Sequence, residues 1–499
     1  KLIVKPKPVM SFKDHFILEN EYSEEEENCQ QCIQNAVFRL ANLLDGVFAF
    51  QIYDEEYGIM SVGRDPIGVR SLYYGYNDNS ICFSSEMKAI NELAQHVDFF
   101  PPGSVLSFNI NDVYYSFKKN LTKHVQRYYY CNYQYKSPRD MQKNEYKNYC
   151  KLNICNLLTN AVRKRMMSDR PIGCLLSGGL DSSLIAALLA NELKTKNQRL
   201  HTFSIGFKNA TDLKYARMVA DHINSIHHEV IVTEEQMLNA VDDVIYKIES
   251  WDTTTIRAST PMILLCEYIK KNTDITVIYS GEGSDEASGS YMYFQNAPDE
   301  NAFHDETCRL VKDLQYYDVL RSDKSISCAG LEARVPFLDK EFLEFYMSIH
   351  PSLKISSNKR MNGIEKYLLR SSFDQSLKIG MVGIDYPVEK LLPDKVLWRI
   401  KEAFSDGCST KEKSWYTILQ NHIENNIFPK IYKNNLDIEK DYEKYKNHEP
   451  PRFNEALYYR NKFEEHYPNR SSIIPYYWVP KWSGDVAEPS ARVLDVYNA

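Results

Sequence analysis

Apolar runs of strand length alternate with helical stretches between residues 172 and 279, and this alternation constrains the fold more than any other feature of the sequence. The apolar runs are Ile172–Leu176, His201–Phe207, His228–Val232 and Ile275–Tyr279. The stretches with helical spacing are Ser182–Leu193, Asp212–Ile223, Glu234–Ile248 and Ala258–Lys271. Repeated strand–helix units of this length predict a parallel, doubly wound sheet with helices on both faces.

Two other patterns flank this region and predict how the chain is divided. Between Leu44 and about Tyr130, short runs typical of strands are separated by Gly, Pro, Asn and Asp, which predicts a layered α+β domain. These runs are Val47–Tyr53, Ile59–Gly63, Ser71–Gly75, Ile81–Ser84 and Ser104–Asn109. An amphipathic helix is predicted from about Lys143, and the pattern beyond Asn301 is mostly helical. For 499 residues we therefore expect two domains, 1–142 and 143–499, with the tyrosine-rich stretch Tyr128–Gln142 as the linker.

Composition excludes several classes of protein. The chain is 43% hydrophobic and 25% charged, which is typical of globular proteins and excludes wholesale disorder or a coiled-coil rod. Its net charge of −7 is opposite to that of most nucleic-acid-binding proteins, and no apolar run approaches the ~20 residues of a membrane span. Eleven cysteines, an odd number, indicate reduced thiols and a cytoplasmic protein. The single CxxC pair, Cys29 and Cys32, cannot close a tetrahedral zinc site.

The loop after the first apolar run has the composition of an anion-binding turn. Leu176 is followed by Ser177-Gly178-Gly179-Leu180-Asp181-Ser182-Ser183, where a helical stretch begins. The glycines let the backbone approach an anion closely, and the helix N-terminus supplies free N–H groups and partial positive charge. Ser182 and Ser183 add hydroxyl donors, and Asp181 is placed to hold a metal ion on bound phosphates. The alternative is an ordinary glycine turn that caps a helix. The lysine of a Walker-type loop is missing.

A second loop, Ser280-Gly281-Glu282-Gly283-Ser284-Asp285-Glu286, follows another apolar run. Its carboxylates repel one another unless a cation lies between them. Magnesium on a polyphosphate, or the ammonium of an amino-acid substrate, meets that need. A solvated acidic loop that caps the next helix is the alternative interpretation. Because ligands bind at the carboxyl ends of parallel strands, two such loops on neighbouring strands favour a shared binding site.

These two loops resemble the pyrophosphate loop and the SGEGSDE motif of the glutamine-hydrolysing asparagine synthetase family. The resemblance extends from about Asn144 to the end of the chain. Further matching segments are Thr253–Thr260, Gly330–Asp339 and Lys401–Gly407. The sequence departs from the family pattern at Ala287–Tyr291, where many relatives have paired glycines, and near Gln375–Lys390, which is longer than usual. The implied fold is a doubly wound parallel-sheet ATP-pyrophosphatase (adenine nucleotide alpha hydrolase-like) domain, preceded by a partial α+β N-terminal-nucleophile-type glutaminase domain.

The resemblance implies a reaction and assigns residues to it. Aspartate would be activated by ATP as β-aspartyl-AMP with loss of pyrophosphate, and ammonia would then displace AMP to give asparagine. Glu282 would hold the substrate ammonium and accept a proton, while Arg257 and Lys401 would offset charge on the phosphates. The implied ATP and pyrophosphate contacts are Leu176, Ser177, Gly178, Gly179, Asp181, Ser182, Ser183, Ile205, Ser280 and Gly281. Asp181 and Asp285 would bind Mg²⁺. A lone surface lysine and a structural ion pair are the alternatives for Lys401 and Arg257.

The amino-terminal part resembles only the later part of the family's glutaminase domain. The matching segments are Leu44–Phe50, Gly63–Arg70 and Ser84–Ala89. The family uses an amino-terminal cysteine as the nucleophile, and we find no such residue in this chain, which begins at Lys1. We therefore expect the glutaminase part to be incomplete at its start; a naturally ammonia-dependent form is the other interpretation.

Three hypotheses for the function follow. The first is an asparagine synthetase that uses glutamine or ammonia, with a homodimer expected from the family. The second is a cyclase similar to β-lactam synthetase, in which a tyrosine–glutamate pair acts on the acceptor; Tyr291 is available for that role. The third is a non-catalytic paralogue, against which the intact set of Ser177, Asp181, Glu282 and Asp285 argues.

Overall fold

The computed structural model describes residues 29–78, 80–110, 125–136, 143–356, 363–374, 390–400, 404–409, 413–484 and 486–490. Residues 137–142 of the predicted linker and residues 375–389 of the segment near Gln375–Lys390 lie outside these ranges. Within them, no helix combines the length and the apolar character that a membrane crossing requires.

A five-stranded parallel sheet forms the centre of the molecule, as predicted. Numbered along the whole chain, its strands are β8 (Ile172–Leu175), β9 (His201–Gly206), β10 (Ile226–Ile231), β11 (Val277–Tyr279) and β12 (Glu332–Arg334). Their spatial order is β10-β9-β8-β11-β12, and every neighbouring pair is parallel. Strand β12 was not predicted, because three residues with two charges do not form an apolar run. The chain proceeds from β8 to β9 and β10 on one side of the sheet, and from β11 to β12 on the other. The topological switch point of the sheet therefore lies between β8 and β11.

Alternate residues of the central strands face two different hydrophobic cores. Cys174 and Tyr279 lie in one core with Leu184 and other residues of the helix after β8. Leu175 and Ile278 lie in the second core, together with Phe203. This alternation with both faces apolar is what a fully covered parallel sheet requires.

The helices of eight or more residues in the described part of the chain are numbered in order. In chain order they are α1 (Cys29–Leu43), α2 (Lys143–Lys164), α3 (Leu180–Lys194), α4 (Thr211–His222), α5 (Glu234–Ile248), α6 (Thr253–Asn272), α7 (Glu300–Asp313), α8 (Asp318–Ser327), α9 (Lys340–Ser348), α10 (Trp415–His422), α11 (Asn435–Lys444) and α12 (Asn454–His466). Shorter helices span Ser284–Ser288, Tyr367–Phe373, Asp394–Leu397, Phe404–Gly407 and Phe428–Ile431, and a π-helix spans Ile423–Ile427. Helix α1 was not expected, because the sequence before residue 43 shows no clear pattern.

Two antiparallel sheets precede the parallel sheet. Their strands are β1 (Ala49–Asp54), β2 (Ile59–Arg64), β3 (Tyr73–Tyr76), β4 (Ile81–Ser84), β5 (His96–Phe99), β6 (Ser104–Asn109) and β7 (Gln126–Arg127). One sheet has the order β1-β2-β6-β7 and the other β4-β3-β5. Val62, Tyr74 and Phe100 belong to the apolar cluster between them. The strands β5 and β7 were not predicted, and the domain boundary expected at residue 142 stays a prediction.

A buried ionic cluster joins the antiparallel sheets to the parallel sheet. We name Glu249, Lys324, Lys88 and Glu86 the Glu249 cluster. Glu249 is fully buried and accepts from the backbone N–H groups of Met87 and Lys88, both at 2.8 Å. Lys324 Nζ donates to Glu249 Oε2 at 2.6 Å and to Glu86 Oε2 at 2.9 Å. Burial disfavours the charged form of Glu249, but Lys324 and Lys88 outweigh burial and lower the pKa of this carboxyl.

Candidate active site

The two loops singled out in the sequence meet at the carboxyl ends of β8 and β11. These strands are neighbours in the sheet, and the chain proceeds from them in opposite directions. A Cβ atom at Gly281 would lie 2.8 Å from the Ser182 nitrogen, so a larger residue would separate the loops. Ser284 Oγ also donates to Asp181 Oδ1 at 2.8 Å. The two loops are therefore in direct contact, as the prediction of a shared site requires.

Hydrogen bonds of its own serine hydroxyl groups order the first loop, Ser177–Ser183. Gly178 has a φ of +74°, and a Cβ atom there would lie 2.4 Å from the Ala216 nitrogen, so only glycine fits. Gly179 is the N-cap of α3 without a side chain to occupy the free N–H groups. The Ser182 hydroxyl accepts from the Ser177 N–H at 3.2 Å. The first turn of α3 thus faces the site with unshielded N–H groups.

Lys366 supplies the cation that the second loop needs. Its Nζ lies 2.5 Å from Asp181 Oδ2 and 2.5 Å from Asp285 Oδ1, so one ammonium joins a carboxylate of each loop. The side chain is 2% exposed. Burial disfavours its charged form, but Asp181 and Asp285 outweigh burial and raise the pKa of Lys366.

Arg321, on α8, holds Glu282. Its Nη2 lies 2.8 Å from Glu282 Oε2, and its Nη1 lies 2.7 Å from Asp318 Oδ1. Burial raises the pKa of Glu282, and Arg321 counteracts part of that rise. A carboxylate with a raised pKa is a stronger base than a surface glutamate, which suits Glu282 to accept a proton.

Within the described residues, the third carboxyl of the second loop, Glu286, has a tyrosine rather than a cation as its hydrogen-bond partner. The Tyr291 hydroxyl donates to Glu286 Oε1, and Glu286 is almost completely buried. Burial raises the pKa of Glu286 well above its ordinary value, with further contributions from Asp318 and Asp285. Its surroundings therefore disfavour the charged form of Glu286.

Arg257 lies at the site within an ion-pair network. Its Nη2 is 2.6 Å from Glu455 Oε2 and its Nη1 is 2.6 Å from Glu488 Oε1. Burial disfavours charge on Arg257, but these carboxylates outweigh burial and raise its pKa. Both partners follow far along the chain, so the sequence could not identify them. These contacts match the alternative interpretation of Arg257, namely that it forms a structural ion pair.

A cavity of about 270 Å³ lies over the two loops. The predicted residues that line it are Leu176, Ser177, Gly179, Asp181, Ser182, Ile205, Arg257, Ser280, Gly281, Glu282 and Asp285. Gly178 and Ser183 do not line it, since Gly178 lies against α4 and Ser183 is fully buried. Lys401 lies outside the described residues. All these roles stay predictions, but the structure brings most of the residues to one place.

Apart from Arg257, the cations that the structure places in the wall of the cavity were missed by sequence reasoning. Lys366, Arg321 and Arg399 line it, and all three come from segments without a phosphate-binding pattern. The only available signal was the acidic second loop, which required a cation without indicating which one. Arg399 Nη1 donates to the Gly178 carbonyl at 3.1 Å.

A magnesium ion fits the two aspartates predicted to bind it. No cluster of three or more His, Cys, Asp and Glu side chains able to hold a metal occurs in the described part of the chain. Asp181 and Asp285 do converge on one cation, however, which here is the ammonium of Lys366. Magnesium is commonly bound by one or two carboxylates together with substrate phosphates. The donor set therefore fits an ion that arrives with a polyphosphate.

Comparison with known proteins gives consistent results. The asparagine synthase family profile matches residues 153–302 and 295–486, and the glutamine amidotransferase domain profile matches residues 29–146. The chain is 42% identical over 481 residues to the asparagine synthetase [glutamine-hydrolyzing] of Gallus gallus, covering 93% of this chain and 80% of that protein. It is 40% identical over 480 residues to that of Homo sapiens, covering 92% and 79%.

One solved structure with a partial similarity is NMN synthetase from Francisella tularensis. It is 16% identical, covers 42% of this chain and 94% of that chain, and has a TM-score of 0.20. This TM-score is too low to establish that the two proteins share a fold.

Proposed function

Because this chain belongs to the family of glutamine-hydrolysing asparagine synthetases, which are ligases, we propose that its cavity amidates aspartate at the expense of ATP through a β-aspartyl-AMP intermediate. The observation that carries the mechanism is the meeting of the two loops around Lys366 at the topological switch point of the sheet. Glutamine is the proposed source of the ammonia. The homodimer and the cytoplasmic location remain predictions.

The loop Ser177–Ser183, from here on the pyrophosphate loop, would bind the β- and γ-phosphates of ATP. The open N-terminus of α3 offers N–H donors and partial positive charge to them. Ile205 and Leu176 line the same cavity and would contact the nucleoside. Attack of the aspartate carboxylate on the α-phosphorus then expels pyrophosphate, which the loop already holds.

Cations of the chain would stabilise the charge that develops on the leaving group. Lys366 is fixed between Asp181 and Asp285, where its ammonium faces the pyrophosphate loop. Lys401 is proposed to add a second positive charge. Arg257 is proposed to act from the cavity wall, although its two carboxylate partners offset its charge.

Asp181 and Asp285 would hold Mg²⁺, which when bound supplies positive charge that offsets the charge of the phosphates. With the ion present, Lys366 would share the two aspartates with a second cation, and its ammonium would be available to a phosphate oxygen.

Glu282 would act in the second half of the reaction. Its position beside the cavity suits an interaction with the aspartate ammonium, and its raised pKa suits acceptance of a proton from attacking ammonia. Arg321 would keep Glu282 in place and favour the ionised form, which is the form that accepts a proton.

Isotope transfer tests this mechanism directly. The protein is incubated with ATP, Mg²⁺, ammonia and aspartate carrying labelled oxygen in its β-carboxylate. We expect asparagine, pyrophosphate and AMP in equal amounts, with one labelled oxygen in each AMP. Release of ADP and phosphate, or unlabelled AMP, would contradict the proposal. The variant Asp181→Asn should lose turnover, while Asp242→Asn, a surface change distant from the cavity, should not.

A further inference from the structure

We propose that Arg399 is a positioning residue that fixes the orientation of the pyrophosphate loop, with Asp212 as its anchor. The inference rests on the proposed function, because it concerns how the loop is held rather than whether it binds phosphate. Arg399 lies 221 positions after Gly178 in the chain and is 8% exposed at its side chain.

One planar guanidinium joins the loop to helix α4. Arg399 Nη1 donates to the Gly178 carbonyl oxygen at 3.1 Å, and Nη2 donates to Asp212 Oδ1 at 2.9 Å. The Arg399 guanidinium carbon lies 4.1 Å from the ring centre of Tyr215, so the group is also stacked. Two donors and one stacking contact determine both the position and the plane of the guanidinium.

The contact determines which way a peptide group of the loop faces. In a trans peptide the carbonyl and the next N–H point in opposite directions. Because Arg399 holds the Gly178 carbonyl, the Gly179 N–H is turned the other way, where it donates to Ser177 Oγ at 3.3 Å in the cavity wall. Glycine can adopt more backbone conformations than other residues, so the Arg399 contact adds a constraint that favours this orientation.

Helix α4 is the surface against which this arrangement is built. Asp212, Tyr215 and Ala216 have helical spacings of three and four residues, so they share one face. Gly178 approaches that face at the Ala216 nitrogen, and Arg399 lies on Tyr215. Asp212 is in the first turn, where the helix dipole favours a carboxylate.

Asp212 also touches the segment after Lys401. A Cβ atom at Gly407 would lie 2.4 Å from the Asp212 carboxylate, so a side chain there would displace it. Asp212, on α4, therefore contacts both Arg399 and the helix Phe404–Gly407. Arg399 and this helix lie on either side of Lys401 in the sequence. The loop and this flanking segment share one buried anchor.

A purely electrostatic role for Arg399 is less consistent with this geometry. A cation that served only to attract phosphate would be weakened by a buried carboxylate at 2.9 Å. Under that alternative, removing the charge of Asp212 would strengthen ATP binding. Under the positioning role, the same change releases the guanidinium and weakens ATP binding. The two roles thus predict opposite results for one substitution.

The experiment compares ligand affinities in three variants of the protein: Arg399→Met, Arg399→Lys and Asp212→Asn. Equilibrium binding is measured for ATP, inorganic pyrophosphate and AMP, which lacks the phosphates that the loop would hold. For Arg399→Met we expect ATP and pyrophosphate to bind about tenfold more weakly, as for one lost charge-assisted hydrogen bond, and AMP to bind as before. Arg399→Lys should resemble Arg399→Met, because one ammonium cannot reproduce the planar, stacked bridge.

Arg165→Met is the matched control. Arg165 forms a comparable ion pair with Asp339 at 2.6 Å, is 11% exposed and does not line the cavity. It should lower stability without changing the ATP-to-AMP affinity ratio. Wild-type ATP affinity in Arg399→Lys, or unchanged or tighter ATP binding in Asp212→Asn, would overturn the proposal. An equal loss of AMP affinity would also overturn it. If Arg399→Met does not fold, the ATP and AMP affinities of Arg399→Lys and Asp212→Asn test the proposal.

The same measurements separate this inference from the proposed function. If the wild-type protein does not bind pyrophosphate at all, the assignment of the pyrophosphate loop fails. If it binds pyrophosphate and the variants do so equally well, only the role of Arg399 fails.

Discussion

At the scale of single residues, the site depends on charges that are buried and therefore must be matched. Lys366 is the clearest case, since its buried ammonium lies between the partly exposed carboxylates of Asp181 and Asp285. In a medium of low effective dielectric, such a group stabilises its charged partners strongly. Removing it leaves their negative charges without compensation. The positions that carry the proposed chemistry are therefore also positions on which local stability depends.

Replacing Lys366 by Met should abolish most of the ligase activity. The two aspartates would lose their shared cation, so we expect pyrophosphate release to fall by at least about 100-fold, which corresponds to about 2.7 kcal/mol. The measurement is steady-state pyrophosphate release with saturating aspartate and ammonia.

Lys354→Met is the control for that experiment. Lys354 is also buried, but its Nζ contacts the Tyr346 carbonyl at 3.4 Å, and burial lowers its pKa to about 8. Removing it should leave activity within about twofold and stability unchanged or higher, because desolvation of this amine is poorly compensated. A large loss of activity in both variants would show that the Lys366 result is not specific.

His227 should make stability depend on pH below neutrality. Burial, with smaller effects of Arg217 and His228, lowers its pKa from 6.5 to about 4. The unfolded chain therefore binds the proton first, and stability is lost as pH falls from about 6.5 towards 4. Since the ring is partly exposed, we expect a loss of about 1–2 kcal/mol between pH 7 and pH 5 from this group.

Urea denaturation at the two pH values tests this expectation. His227→Gln removes the titrating group while keeping polar atoms near Thr202 and Ser204, which lie 2.9 Å and 3.1 Å from the ring nitrogens. The variant should lose less stability than the wild type between pH 7 and pH 5. The exposed His96→Gln should behave like the wild type. Identical pH slopes for His227→Gln and the wild type would contradict the assignment.

At the scale of elements, the junction between β8 and α3 is determined by close backbone approach as much as by hydrogen bonds. Gly178 and Gly330 have nearly the same conformation, with φ of +74° and +72°. Their surroundings differ, because a Cβ atom would lie 2.4 Å from a backbone nitrogen at Gly178 but 3.6 Å from the flexible Lys270 side chain at Gly330. Substitutions at these two glycines therefore distinguish the cost of a left-handed backbone conformation from the cost of steric overlap with α4.

Gly178→Ala should therefore cost more than Gly330→Ala. We expect about 1 kcal/mol for Gly330→Ala, from the left-handed conformation alone, and about 2–4 kcal/mol for Gly178→Ala, because α4 must also move. Denaturant unfolding measures both. Only Gly178→Ala should weaken ATP binding; equal costs for the two variants would mean that the approach to α4 is readily relaxed.

At the scale of the whole molecule, the Glu249 cluster joins the antiparallel sheets to the parallel sheet. Glu249 binds two backbone N–H groups of one part and Lys324 of the other, with both charged side chains almost fully buried. Breaking one side of a buried pair is costly, whereas removing both sides costs less than the sum. The junction should thus behave as one energetic unit.

A double-mutant cycle tests that statement. We expect Glu249→Gln and Lys324→Met each to lower the free energy of unfolding by about 3–5 kcal/mol, and the double variant to lose clearly less than their sum. Lys413→Met, which breaks an exposed pair with Glu234, should cost below about 1 kcal/mol. Additive effects of Glu249→Gln and Lys324→Met would contradict coupling across the junction.

The amino-acid sequence by itself determined the parallel sheet, its four longest apolar runs and the two loops of the site. These features are local: strand and helix periodicity, glycines at a turn and clustered carboxylates can be recognised within about ten neighbouring residues. The resemblance to a known family added Arg257 and Lys401, whose own surroundings carry no such pattern.

The tertiary structure alone decided which charges meet. Lys366 pairs with Asp181, Arg321 with Glu282 and Arg399 with Asp212, and each pair is separated by tens to hundreds of residues. It also decided the strand order and added β12, a three-residue strand with too little apolar character to be recognised. The physical reason is that burial makes unpaired charge costly, so partners are selected by proximity in the fold, which local periodicity does not encode.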